Sequence, residues 1–161
     1  MTITSVDTDY DNLTATLIAH FENPIDEVWE LWSDPRKLER WWGPPGYPAT
    51  VEKHALDPGG EVSYSMTGPE GDQHRGMWRV TSVDPPTSLR FTDAIADSDG
   101  APLEDSPVSE ISVRLLEHES GTRMEMRMAF ETREDMDRIV DMGTVEGVKE
   151  AIGQMDALLA A

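Results

Sequence analysis

The most unusual candidate for chemistry is a carboxylate set within an apolar strand pattern. Asp93 shares its alternation with Leu89, Phe91 and Ile95, so a regular strand would direct its side chain inward. A carboxylate removed from water has a raised pKa and could act as a general base. Buried carboxylates are uncommon, however, so we expect the strand to end or bulge near Asp93 and to leave its side chain in water.

Two other polar side chains could work beside such a carboxylate. Tyr64 alternates with Val62 and Met66, and its phenol would be one of few polar groups in an apolar pocket if that face points inward. His74 could be a polar partner in the same cavity, although pairing with a surface acid is the commoner role for such a residue. The candidate catalytic residues are therefore Asp93 and His74.

Other chemical signatures are missing from the sequence. It contains no cysteine, which excludes disulfides, thiolate nucleophiles and cysteine-based zinc sites. Its four histidines are far apart and form neither HxH nor HExxH. No glycine-rich phosphate loop or GxSxG turn is present either. We therefore expect no metal and no cofactor.

Methionines dominate one predicted strand face. Met124, Met126, Met128 and Phe130 alternate, which is most often the pattern of a core face, and we favour that interpretation. The alternative is a ligand cavity, because flexible, polarizable methionine adapts to irregular apolar ligands. The predicted ligand contacts combine this face with apolar positions on other strands and on the last helix: Tyr64, Met66, Trp78, Phe91, Met126, Met128, Phe130, Met136, Val148 and Ile152.

Charge limits the partners. The 161 residues include 32 acidic and 13 basic side chains, giving a net charge of −19. That charge repels phosphate backbones and anionic lipids, so we expect neither nucleic acid nor a membrane as partner. The first twenty residues carry no lysine or arginine and do not resemble a targeting segment. We expect a cytoplasmic protein with a solvated acidic surface.

The elements that must position these residues follow from hydrophobic periodicity. A strand over residues 13–21 precedes two short helices, whose starts are marked by Asn23-Pro24 and Asp34-Pro35 and whose end is marked by the sequence GPPG at 43–46. Six strand-like runs follow at 47–55, 61–67, 74–83, 88–95, 108–117 and 122–131. A helical stripe then begins after Thr132 and is interrupted by Gly143 and Gly147.

This order predicts an α+β helix-grip fold. Short turns join the strands, so they should form a curved antiparallel sheet, with two short helices after strand one and a long C-terminal helix on its concave face. No internal boundary is visible, and we expect residues 1–161 to form a single domain. Trp41 and Trp42, at the end of the second helix, are expected to pack in the core rather than to stack on a ligand.

Several motifs resemble those of one family. Residues 23–29, NPIDEVW, resemble its APxExVW signature, and residues 34–44, DPRKLERWWGP, resemble its DPxxLxxWWGP signature. The segments PGG at 58–60 and VDPPTSL at 83–89 follow in the expected order, with Gly76 between them. The chain is similar to stand-alone members of the family named for the activator of the 90-kDa heat-shock chaperone ATPase, within the SRPBCC (START/Bet-v-like) superfamily. It departs from that family at Ala19, often arginine, and at Val148, often tryptophan.

The resemblance implies an interior pocket between the sheet and the C-terminal helix. Its first functional implication is the binding of a hydrophobic or amphipathic small molecule. A cyclase-like or hydrolase-like enzyme is a second interpretation, with Asp93, Tyr64 and His74 as its polar groups. A chaperone partner or a homodimeric interaction protein is the third.

Overall fold

The computed structural model describes residues 2–99, 101–104 and 107–160. Within these residues the strands, in chain order, are β1 Thr2–Asp9, β2 Thr14–Phe21, β3 Ala49–His54, β4 Glu61–Thr67, β5 Gln73–Asp84, β6 Ser88–Ala96, β7 Ser109–His118 and β8 Gly121–Phe130. The helices are α1 Ile25–Ser33, α2 Pro35–Trp41, α3 Arg133–Asp141, α4 Thr144–Gly153 and α5 Met155–Leu159. No helix in these ranges is long and apolar enough to cross a membrane.

The strands form one curved antiparallel sheet in the order β1-β2-β8-β7-β6-β5-β4-β3. This is the predicted helix-grip arrangement, with the two short helices inserted between β2 and β3. Neighbouring strands from β3 to β8 are joined in sequence order, as short turns require. The pairing of β2 with β8 brings the start of the chain beside its last strand.

The expectation that residues 13–21 form the first strand is wrong, because β1 precedes them. β1 pairs with β2 along the edge of the sheet, where Asp7 lies opposite Thr16 and Asp9 lies opposite Thr14. An edge strand buries little apolar surface and tolerates charged residues. Its sequence therefore lacks the apolar alternation that identifies the other strands.

The two short helices begin differently from each other. The Asp34 side chain accepts a hydrogen bond from the Arg36 backbone N–H at 2.9 Å, which confirms the predicted cap of α2. The predicted Asn23 cap of α1 is wrong, because the N-cap residue is Pro24. The Asn23 amide instead donates to the backbone oxygen of Leu159 at 3.3 Å, which ties the start of α1 to α5.

Aromatic rings fill the space between these helices and the sheet. Trp32, Trp41 and Trp78 are fully buried, and the Trp41 indole N–H donates to the backbone oxygen of Leu31 at 2.7 Å. Trp78 on β5 stacks on Phe91 of β6 with ring centroids 3.9 Å apart. The ring of Trp32 on α1 lies 6.1 Å from that of Trp78 between centroids, and this aromatic contact holds the helix against the sheet.

The predicted long C-terminal helix is divided into α3, α4 and α5. Its start is as predicted, because the Thr132 hydroxyl accepts from the Asp135 N–H at 3.1 Å. Gly143 separates α3 from α4 with φ +79, a left-handed conformation that glycine adopts without strain. The second break falls at Gln154, whereas Gly147 lies inside α4.

Candidate functional site

Two adjoining pockets open between the sheet and the junction of α3 with α4. Their volumes are about 290 Å³ and 340 Å³, near the lower end of the range for small-molecule sites. We call them together the cleft. Both pockets are lined by the same six residues: Tyr64, Met66, His74, Asp93, Met142 and Thr144.

The cleft contains a hydrogen-bonded pair from two strands that are not neighbours. The Tyr64 hydroxyl on β4 donates to Oδ1 of Asp93 on β6 at 2.9 Å, across the intervening strand β5. Tyr64 is paired with Gly76 on β5, and a Cβ atom at position 76 would lie 2.3 Å from the Tyr64 hydroxyl. The phenol can therefore cross β5 only because residue 76 has no side chain.

The expectation that the strand ends at Asp93 is wrong. β6 continues to Ala96, and Asp93 is paired with Trp78 on β5 and with Ser109 on β7. The irregularity in β5 lies further along, between Val80 and Ser82. Regular pairing keeps the inward direction that the alternation predicts, so the half-buried carboxylate of Asp93 faces the cleft.

The surroundings change the acidity of both members of the pair. Burial raises the pKa of Asp93 from 3.8 to about 7, although hydrogen bonds from Tyr64 and the Ala94 N–H act in the opposite direction. Burial, assisted by the charge of Asp93, holds the pKa of Tyr64 well above its usual 10.0. At neutral pH the pair thus offers a protonated phenol and a carboxyl group that readily gains or loses a proton.

Two indole groups lie beside this pair. Among the described residues, neither Trp42 Nε1 nor Trp78 Nε1 has a hydrogen-bond partner of ordinary geometry, and both are buried. Their N–H groups are still close enough to the Tyr64 oxygen to lower the pKa of that phenol. Trp42 also lines the second pocket, so its ring forms part of the wall of the cleft.

The basic side chains of the cleft are already paired. His74 Nε2 lies 3.0 Å from Oδ2 of Asp72, as expected for a histidine paired with a surface acid. Arg75 Nη1, on the wall of the first pocket, lies 3.2 Å from Oε1 of Glu52. Within the described part of the chain, no basic side chain forms an ion pair with Asp93.

Of the predicted ligand contacts, the structure brings Tyr64, Met66 and Val148 to the cleft, together with both candidate catalytic residues. The other seven lie in the packed core and line neither pocket: Trp78, Phe91, Met126, Met128, Phe130, Met136 and Ile152. For the three residues on β8 the reason is that α1 and α3 pack against that strand. The favoured interpretation of the strand face with Met124, Met126, Met128 and Phe130 as core is confirmed, since all four side chains are buried.

Several residues of the wall were not among the predicted ligand contacts. Trp42, Tyr47, Met142 and Thr144 line the second pocket, and Trp42 had been expected only to pack. In the sequence, the signal for Met142 is an apolar residue directly before the helix-breaking Gly143. In the structure, Met142 follows the end of α3 and is 58% exposed. Of the two positions that depart from the family pattern, Val148 lines the cleft, whereas Ala19 is buried in the core.

The described residues contain no group of three histidine, aspartate or glutamate side chains placed to hold a metal ion. The cleft combines the carboxyl group of Asp93 and the phenol of Tyr64 with apolar side chains and with the paired side chains of His74 and Arg75. Such an arrangement can accept and donate hydrogen bonds, exchange a proton and exclude water from an apolar ligand.

Comparison with known proteins places this architecture in a family. The family model described as activator of Hsp90 ATPase homolog 1-like protein (AHSA1) matches residues 22–160. The chain belongs to this family. None of the curated proteins compared with this AHSA1-like chain matches it significantly.

Solved structures similar to the AHSA1-like chain come from several bacteria. Protein Ms6760 from Mycobacterium smegmatis is 45% identical, with a TM-score of 0.91 over 98% of this chain and 97% of that chain. A protein from Arthrobacter aurescens, solved by NMR, is 44% identical, with a TM-score of 0.94 over 99% and 92%. The AHSA1 protein SPO3351 from Silicibacter pomeroyi is 25% identical, with a TM-score of 0.72 over 91% and 97%.

Proposed function

We propose that this AHSA1-like chain binds a hydrophobic or amphipathic small molecule in the cleft. The observation that carries the proposal is the Tyr64–Asp93 pair, whose 2.9 Å hydrogen bond places a polar anchor beside the apolar side chains of the cleft wall. Ligand sites combine extensive apolar lining with a few converging polar groups, because the first gives affinity and the second gives orientation. The family's helix-grip fold supports the same function.

The walls supply the apolar part of such a site. Met66, Met142 and Val148 face the cleft beside Trp42 and Tyr47. Met142 leaves most of its side chain in solvent, and covering it with an apolar ligand would recover about 25 cal/mol for each Å² removed from water. Methionine also adapts its shape to different ligands.

Catalysis is a second candidate function, favoured by the acidity of Asp93. A carboxyl group whose pKa is about 7 is matched to proton transfer at neutral pH, and Tyr64 would orient it. In this case, the Asp93→Asn variant should lose turnover of an ester or polyketide substrate while still binding it. Turnover that survives this substitution would contradict the catalytic role.

The binding proposal is tested by filling the cleft. In Val148→Trp an indole ring replaces a partly buried wall residue of the second pocket, at a position where the family often carries tryptophan, so the variant should fold. We expect the affinity for a neutral fluorescent probe, N-phenyl-1-naphthylamine, to fall by about tenfold or more, because the added ring occupies the ligand's volume. Fluorescence titration gives the affinity, and native mass spectrometry of freshly purified protein would identify a retained ligand.

The matched control is Lys149→Trp, which adds the same ring at the neighbouring exposed position of α4. It should bind the probe like the unsubstituted protein. Equal affinity in Val148→Trp and Lys149→Trp, with both variants folded by circular dichroism, would contradict binding in the cleft.

A further inference from the structure

We infer that the ligand of the cleft carries a protonated amine, held as an ammonium group by the Asp93 carboxylate; this inference rests on the proposed function. Asp93 accepts a hydrogen bond from the Tyr64 hydroxyl at 2.9 Å, and within the described residues no cation neutralises it. An ionised carboxylate at an apolar wall is stabilised most by an opposite charge with N–H donors. A ligand ammonium supplies both.

The basic side chains near Asp93 are paired with other acidic residues, so a positive charge beside Asp93 must come from the ligand. From β5, His74 and Arg75 reach the wall of the first pocket, but they are paired with Asp72 and Glu52 at 3.0 Å and 3.2 Å. From β4 the facing titratable group is Tyr64, which donates to Asp93. The remaining wall residues from β7, α3 and α4 are uncharged: Ser109, Ile139, Met142, Thr144 and Val148.

The aromatic side chains of the second pocket fit the same group. Trp42, Tyr47 and Tyr64 all line it, and the rings of Trp42 and Tyr64 are 5.9 Å apart between centroids. Aromatic faces attract ammonium groups through the negative potential above the ring, most strongly in tryptophan. A carboxylate beside several aromatic rings is thus suited to a cationic ligand end, while Met66 and Met142 suit its apolar body.

The charge of the whole chain acts in the same direction. A net charge of −19 produces a negative potential that concentrates cations at the surface and repels anionic ligands such as fatty acids. An apolar or aromatic amine meets both requirements: its positive charge is attracted by the negative potential, and its body can contact the apolar and aromatic side chains of the cleft.

A neutral hydroxyl group is the alternative ligand group that could bind Asp93. The pH dependence of affinity distinguishes it from an ammonium group. An ammonium group favours the ionised form of Asp93, so its affinity should rise with pH through the pKa of about 7 and fall again only near pH 10, where aliphatic amines lose their proton. An alcohol can bind either form of the carboxyl group and gains much less from ionisation. The sign of the pH dependence therefore reports the charge of the ligand.

The experiment compares 4-phenylbutylamine with 4-phenylbutan-1-ol, which have the same apolar body and differ in the terminal group. Affinities are measured by calorimetry and by ligand-observed NMR at about pH 6 and about pH 8, on either side of the Asp93 titration. We expect the amine to bind about tenfold more tightly than the alcohol at the higher pH, and this preference to shrink at the lower pH. In Asp93→Asn the preference should fall to the small remainder that the charge of the whole chain supplies, and it should no longer change between the two pH values.

The matched control is Asp84→Asn, which removes the same charge at an exposed position at the end of β5 and should keep the preference. Equal binding of amine and alcohol by the unsubstituted protein would overturn the amine inference and leave the binding function standing. An amine preference that is as large in Asp93→Asn as in the unsubstituted protein would overturn the assignment to Asp93. Failure of both compounds to bind at millimolar concentration would contradict the proposed binding function itself.

Discussion

Asp93 lowers the stability of the folded chain whenever it is ionised. Its pKa is 3.8 in a solvated reference and about 7 in the fold, because burial disfavours the charged form. A group whose folded pKa is raised contributes stability in its protonated form. That contribution is fully present below about pH 4 and is lost as the pH rises through about 7.

Asp93→Asn should remove this pH dependence. The amide is uncharged at every pH, and its oxygen can still accept the Tyr64 hydroxyl. The free energy of unfolding of the variant should therefore exceed that of the unsubstituted protein increasingly between about pH 4 and about pH 8, with an upper limit of about 4 kcal/mol. Urea unfolding at a series of pH values measures the difference.

Asp84→Asn provides the comparison, since it removes a carboxylate that is exposed. Its difference from the unsubstituted protein should stay constant over the same pH range. If the Asp93→Asn difference is equally constant, the carboxyl group is not desolvated in the folded protein.

At the scale of single residues, the sequence predicted the direction of Asp93 but not its environment. The alternation with Leu89, Phe91 and Ile95 indicated an inward side chain, whereas the rarity of buried carboxylates favoured a strand end. Its hydrogen-bond partner is Tyr64, which lies two strands away and reaches Asp93 only over Gly76. That contact depends on strand register, which a linear pattern does not contain.

The junction between α3 and α4 controls the shape of the cleft at the scale of elements. Gly143 adopts φ +79, and its neighbours Met142 and Thr144 line both pockets. A residue with a Cβ is strained in this conformation. The angle between the two helices, and with it the position of Met142, therefore depends on glycine at this position.

Gly143→Ala should destabilise the fold by about 1–2 kcal/mol, the cost of placing a side chain in the left-handed region. Gly153→Ala is the matched control, because Gly153 is the last residue of α4 and does not have a positive φ. A Cβ atom at this position would have no other atom within 4 Å. The control should be neutral or stabilising by up to about 1 kcal/mol. Urea unfolding of both variants measures this, and equal effects would show that the left-handed conformation at Gly143 carries no cost.

Among the elements, periodicity identified seven strands and the two short helices. It missed β1, whose acidic residues give an edge strand no apolar alternation. It also treated the region after Thr132 as one helix, because the apolar stripe continues through α3, α4 and α5. Glycine in a helical pattern signals a break or a close approach without distinguishing them. Gly143 is the break, whereas Gly147 lies inside α4, where a Cβ atom would make an ordinary contact of 3.7 Å with Pro44.

At the scale of the whole molecule, charge repulsion opposes folding. Folding brings the net charge of −19 into a smaller volume, which increases the repulsion between the acidic side chains. The ion pairs in the described structure are mostly exposed and contribute little to stability. Added salt screens the repulsion, since the Debye length falls from about 30 Å at 0.01 M to about 10 Å at 0.1 M.

The thermal unfolding midpoint should therefore rise by several degrees, corresponding to about 1–2 kcal/mol, when sodium chloride is raised from about 0.01 M to about 0.5 M. Differential scanning calorimetry at neutral pH gives the midpoint. Potassium chloride at the same ionic strength is the control, and it should act equally if screening is the cause. A midpoint that falls with either salt would show that the surface ion pairs outweigh the repulsion.

The contact between Tyr64 and the bare backbone of Gly76 also has an evolutionary consequence. Because a Cβ atom at position 76 would collide with the phenol, a lineage that acquires a larger residue there must first replace Tyr64 with a shorter side chain. Conversely, loss of Tyr64 releases position 76 to vary. Among relatives, the two positions should therefore co-vary, and chains with tyrosine at the first and glycine at the second would be those that have inherited the same polar anchor.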